Sequence, residues 1–109
     1  MKVDFYNDEL YNEFMQWPDG IKGRFMRVVQ MLEEYGSNLG MPYTRSMCKG
    51  LFEIRAKGKE GIGRAFFCYI KDNRAIILHG FIKKTEKTPR KELRLAKRRM
   101  DELLRGTRS

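Results

Sequence analysis

A chain of 109 residues, 41% apolar and 12% aromatic, holds enough apolar mass for one packed domain over residues 1–109, which argues against disorder despite 34% charged side chains. No apolar run approaches the roughly 20 residues that cross a bilayer, and the opening Met-Lys-Val-Asp-Phe-Tyr followed by polar residues is no signal peptide, so a cytoplasmic protein with no membrane partner is expected. The net charge of +9 is lopsided, because residues 1–54 carry 6 Lys/Arg against 8 Asp/Glu and residues 55–109 carry 17 against 6, which points to a polyanionic partner, nucleic acid first.

In chain order, residues 2–6 alternate around Val3 and Phe5 and predict a short strand. Asn7 and Asp8 are good helix N-caps, Leu10, Phe14 and Trp17 recur at helical spacing, and Pro18 ends the run. A second helix carries Ile21, Phe25, Val28, Val29 and Leu32 on one stripe and stops near Gly36. The two make a helical hairpin about a Pro-Asp-Gly corner. From Gly50 the period changes to two. Leu51–Ala56, Ile62–Ile70 and Arg74–Lys83 predict a three-stranded antiparallel meander, with turns at residues 57–61 and 71–73. Thr88-Pro89 opens a last helix striped by Leu93, Ala96, Met100 and Leu103. The order β-α-α-β-β-β-α describes an α+β domain.

Strand pairing turns the charge count into a site. If the first hairpin turns about Lys59 and Glu60, Arg55 stands opposite Arg64. If the second turns about Asp72 and Asn73, Arg64 stands opposite Phe81, Phe66 opposite His79 and Ile62 opposite Lys83. With a side-chain period of two, Arg55, Arg64, Phe66, His79, Phe81 and Lys83 share one face, and a one-residue slip would scatter them. Like charges directly opposed across two strands are unfavourable unless an anion joins them. Glu53 is the nearby acid that could pair with either arginine.

That collection suits RNA cleavage. A group must take the proton of the 2′-hydroxyl, cations must stabilise the phosphorane-like transition state, and an acid must protonate the leaving 5′-oxygen. Arg55, Arg64, Lys83 and Lys84 supply the cations. His79, the one histidine, is the candidate for proton transfer, with a lysine as the other choice. Three cations beside it should favour its neutral form. Lys57, Lys87 and Arg90 are expected to contact RNA backbone, and Phe66 and Phe81 to stack on bases. Arg94, Lys97, Arg98, Arg99 and Arg105, farther along the last helix, are expected to add attraction to ribosomal RNA or to face an acidic partner. Cys48 and Cys68 form no C-x-x-C pair or Cys/His cluster, so neither metal nor cofactor is expected.

Three segments resemble a known family. Leu51-Phe52-Glu53-Ile54-Arg55 is similar to its L-[WYF]-E-L-R strand, and Gly63-Arg64-Ala65-Phe66-Phe67 to its R-x-[FL]-[FY] strand. Residues 77–89 are similar to the signature L-L-H-G-F-x-K-K-T-x-K-T-P. These mark a resemblance to the phage-derived, HigB-like branch of the RelE/ParE toxins, over about Met41 to Met100. The resemblance implies a RelE-like fold and a metal-independent endoribonuclease that cuts ribosome-bound mRNA. It also implies a cognate antitoxin, often of helix-turn-helix type, that holds the toxin in a complex. Catalytic basic residues would be Arg55, Arg64, Lys83 and Lys84. The superfamily also includes ParE toxins, which inhibit DNA gyrase and cleave nothing. On the ribonuclease reading, Arg64→Ala is expected to abolish cleavage and spare the fold.

Overall fold

The computed structural model describes residues 1–83 and 89–108. Strand β1 (Lys2–Phe5) leads into helices α1 (Asp8–Met15) and α2 (Asp19–Tyr35). Strands β2 (Thr44–Cys48), β3 (Leu51–Gly58), β4 (Gly61–Ile70) and β5 (Arg74–Lys83) follow, and helix α3 (Arg90–Arg108) closes the chain. The fold is α+β, as the sequence predicts, with a helical hairpin and a C-terminal helix on one sheet. The sheet has five strands in the order β1-β5-β4-β3-β2. All neighbours are antiparallel except β1 and β5, which run parallel.

The expected elements form for the expected reasons. The Asn7 side chain accepts the Leu10 amide at 2.8 Å and so caps α1. Gly36, with φ at 62°, ends α2 and donates its amide to the Leu32 carbonyl. The Thr88 cap of the last helix falls outside the described residues. Strand β2 is the element absent from the sequence prediction. Five residues long, it has no β-branched or aromatic alternation beyond Thr44. It is held by a two-residue turn in which Lys49 and Gly50 both adopt positive φ, the geometry that joins twisted strands, here built on a less usual Lys-Gly pair. The β4–β5 turn is three residues long, between the paired Ile70 and Arg74, and it too has two residues at positive φ, Asp72 and Asn73.

Both faces of the sheet are packed. On one, Leu10, Phe14, Ile21, Phe25, Val28 and Leu32 of the hairpin bury against Ile54, Ala56, Ala65, Phe67 and Ile77. Two glycines make room there: a Cβ on Gly80 would run into the Phe14 ring, and one on Gly63 would lie 2.6 Å from Trp17. On the other face, α3 sets Ala96 and Met100 against Leu51, Phe66, Cys68, Ile76 and Leu78. Burial pushes the Cys68 thiol up to about 11, so this thiol is held protonated and inert. Among the described residues, no helix is long and apolar enough to cross a membrane.

A bulge lets β5 serve both layers. His79 stands opposite Phe66 and Ile77 opposite Phe67, leaving Leu78 as one extra residue. Leu78 and His79 therefore both turn toward α3. The Leu78 carbonyl accepts the Arg99 guanidinium at 2.8 Å, which fastens α3 to the bulge. The Arg99 guanidinium also lies 5.0 Å above the Tyr6 ring, and the Tyr6 hydroxyl donates to Glu102 at 2.7 Å.

Candidate functional site

The site pairs expected from sequence are observed, although in β4–β5 the pairs next to the turn are offset by one residue from the expected register and the extra Leu78 restores it. Arg55 stands opposite Arg64, Arg64 opposite Phe81, Phe66 opposite His79 and Ile62 opposite Lys83. The side-chain period of two therefore places Arg55, Lys57, Arg64, Phe66, His79, Phe81 and Lys83 on one sheet face. It is the face that α3 packs against, and α3 divides it. Toward the β4–β5 turn it is apolar and covered. Toward the β3–β4 turn Arg55 and Lys57 are exposed and Lys83 is partly so.

Four residues take roles other than those their sequence positions suggest. Phe66 is fully buried beneath α3, so it offers no ring face to a base; it is a core residue. Phe81, half-buried, packs 6.0 Å from Phe66 and 6.4 Å from the His79 ring, which makes it the edge of the same apolar cluster. The sequence sets His79 beside several cations, yet its Nε2 lies 2.7 Å from the Glu92 carboxylate on the first turn of α3. Its Nδ1 is buried without a hydrogen-bond partner, so no ring nitrogen is open to substrate. As placed here, His79 docks the helix.

Arg64 is the fourth. Its guanidinium donates to the Glu53 carboxylate at 2.9 Å, and the side chains are 8% and 3% exposed. Glu53 sits diagonally across from Arg64, where a long side chain reaches. This buried pair offsets the repulsion between Arg64 and Arg55 and leaves Arg55 exposed, with no ion pair or hydrogen bond among the described residues. A buried pair broken on one side leaves an uncompensated charge. From this geometry Arg64→Ala is expected to destabilise the fold, where the sequence alone leads one to expect a fold-neutral change.

Lys84 and Lys87 fall outside the described residues. Arg90 begins α3 and is exposed, at the end of the helix near Glu92. Farther on, Arg94, Lys97, Arg98 and Arg105 are exposed, whereas Arg99 is spent on the Leu78 carbonyl. No group of three His, Cys, Asp or Glu side chains suited to a metal ion gathers among the described residues.

One further residue joins this face through the strand that sequence reasoning missed. Arg45 on β2 stands opposite Glu53. With Glu53, Arg55 and Arg64 it lines a depression of about 140 Å³. Recognising Lys49-Gly50 as a hairpin turn would have revealed it.

The family model of the phage-derived Gp49-like proteins (DUF891) matches residues 12–101, from within α1 into α3. The chain belongs to the Gp49-like family. No curated protein matches it. In this Gp49-like protein the matched stretch contains the second half of α1, all of α2, strands β2 to β5 and most of α3, so the cationic sheet end lies wholly inside the family's common region.

Proposed function

We propose that this Gp49-like protein is the toxin of a type II toxin–antitoxin pair, a metal-independent endoribonuclease of the HigB-like RelE/ParE kind that cuts mRNA on the ribosome. The observation that carries the reading is the cross-strand placement of Arg55 against Arg64, with Lys57 and Lys83 on the same face. Glu53 neutralises the buried Arg64, which leaves the exposed Arg55 and Lys57 and the partly exposed Lys83 as cations suited to a phosphate. The family and the resemblance of residues 51–55, 63–67 and 77–89 support the same reading.

In that chemistry Arg55 and Lys83 would hold the scissile phosphate and stabilise the charge that builds on its oxygens as the 2′-hydroxyl attacks. Arg64 would fix the position of Arg55's surroundings through Glu53. Proton transfer would fall to a lysine of this face, or to His79 once Glu92 releases it. The exposed cations of α3 would attract ribosomal RNA, and a helix-turn-helix antitoxin would hold the protein inactive in a cytoplasmic complex.

The test is primer extension on a defined transcript, with and without ribosomes, after incubation with the purified chain. New breaks ending in 2′,3′-cyclic phosphate are expected. Arg55→Ala should slow them by about 10²–10³-fold, the typical cost of losing one charge-stabilising donor, with an unchanged thermal midpoint because Arg55 is exposed. Growth arrest with intact mRNA and lost gyrase supercoiling would overturn the reading in favour of a ParE-like toxin.

A further inference from the structure

Strand β2 brings a third arginine to the cationic face. Arg45 lies directly opposite Glu53 and so diagonally from Arg55, on the same side of the sheet. The depression between them is walled by Pro42 and Tyr43 of the preceding loop, and Glu53 and Arg64 line it as well.

Three guanidinium groups face one carboxylate there. Glu53 is committed to Arg64 at 2.9 Å. Arg45 donates to the Met47 thioether at 3.8 Å, a weak acceptor. Arg55 and Arg45 are both exposed, on adjacent strands, so each would keep its own water unless an anion spanned them. At about 140 Å³ the depression is well below the roughly 300–1,000 Å³ of a small-molecule pocket. It suits a single group of atoms, and guanidinium forks match a phosphate.

We infer that this depression is a phosphate subsite for single-stranded RNA, in which Arg45 grips the phosphodiester next to the scissile one that Arg55 and Lys83 hold. The inference rests on the ribonuclease reading and names a substrate contact of the same face. RNA is favoured over an acidic peptide because the depression opens onto a continuing row of cations. Lys57 follows Arg55 two residues along β3, at a rise of about 6.6 Å, on the scale that separates successive phosphates of an extended strand. Arg45 thus extends the row from β3 onto β2.

The experiment measures binding apart from cutting. A fluorescein-labelled, 2′-O-methylated single-stranded RNA, which cannot be cleaved through its 2′-oxygen, is titrated with the full chain by anisotropy across a range of KCl concentrations. Arg45→Gln should weaken binding several-fold and flatten the slope of log affinity against log salt by about 0.7, the value for one fewer phosphate neutralised on a single strand. Lys71→Gln, the same charge change in the β4–β5 turn, should leave the slope as in the wild type. An Arg45→Gln slope equal to wild type, or a Lys71→Gln slope flattened equally, would overturn the subsite. So would poly-glutamate competing as well as unlabelled RNA, which would assign the depression to an acidic peptide. Unmodified RNA that is bound with the expected Arg45 dependence but never cut would remove the ribonuclease reading and leave the subsite standing. A wild-type chain that binds no RNA would remove both.

Discussion

Glu53 accepts a hydrogen bond from Arg64 at 2.9 Å inside a sheet face whose open end carries Arg55, Lys57 and Lys83. The carboxylate lets two arginines stand opposite one another, one buried and one exposed. It separates a residue that builds the site from one free to meet a phosphate.

Glu53→Gln and Arg64→Ala are each expected to destabilise the fold by about 3–5 kcal/mol, because each breaks a buried ion pair on one side. The pair replaced together by Leu and Met should recover most of that loss. Urea unfolding midpoints of the two single variants and the double variant check this. Single variants as stable as wild type would mean the pair is hydrated in solution.

Gly80→Ala is expected to cost about 1–3 kcal/mol, the usual penalty of overpacking, since its new Cβ would collide with the Phe14 ring. Adding Phe14→Leu should return part of the loss. Thermal denaturation of the single and double variants measures it.

The bond between His79 and Glu92 predicts that their stability effects are not additive. His79→Ala and Glu92→Ala should show a coupling of about 0.5–3 kcal/mol in a double-mutant cycle. Either variant should also speed hydrogen exchange of the first-turn amides of α3 more than those of α2. Uniform exchange across both helices would deny His79 its docking role.

Glu60 accepts the Gly20 amide at 2.9 Å at the start of α2, and this backbone hydrogen bond holds its carboxyl below the usual carboxylate range. A folded-state pKa below the unfolded one contributes stability at neutral pH that fades as pH falls through the folded value. Glu60→Ala should therefore be less stable than wild type at neutral pH, and the difference should close in acid. Urea midpoints of both proteins along a pH series test the sign. A gap that widens toward acid would contradict it.

Much of this geometry was legible in the residues. The hairpin turn at Lys59-Glu60, set between glycines, is announced in the residues and fixes the register that opposes Arg55 to Arg64, whereas opposing Arg64 to Phe81 also takes the extra residue at Leu78. Local turn chemistry sufficed for the first pairing because antiparallel pairing follows from where the chain reverses. The position of α3 was not legible in the same way. Its apolar stripe says that it packs, but which sheet face it covers is a tertiary fact, and that fact buried Phe66 and gave His79 a carboxylate. Arg45 escaped because a five-residue strand with scant alternation carries almost no periodic signal.

The extra residue at Leu78 leaves β5 as two short strands of opposite phase, joined at one point. Residues 74–77 are timed to β1 and the core, whereas residues 79–83 are timed to the cations across β4. The two halves can drift apart in sequence without disturbing each other, so long as the joint is kept. Deleting Leu78 would force one rhythm on the whole strand and turn either the core residues or Lys83 to the wrong side. Arg99, gripping the carbonyl at that joint, makes the last helix the keeper of the offset.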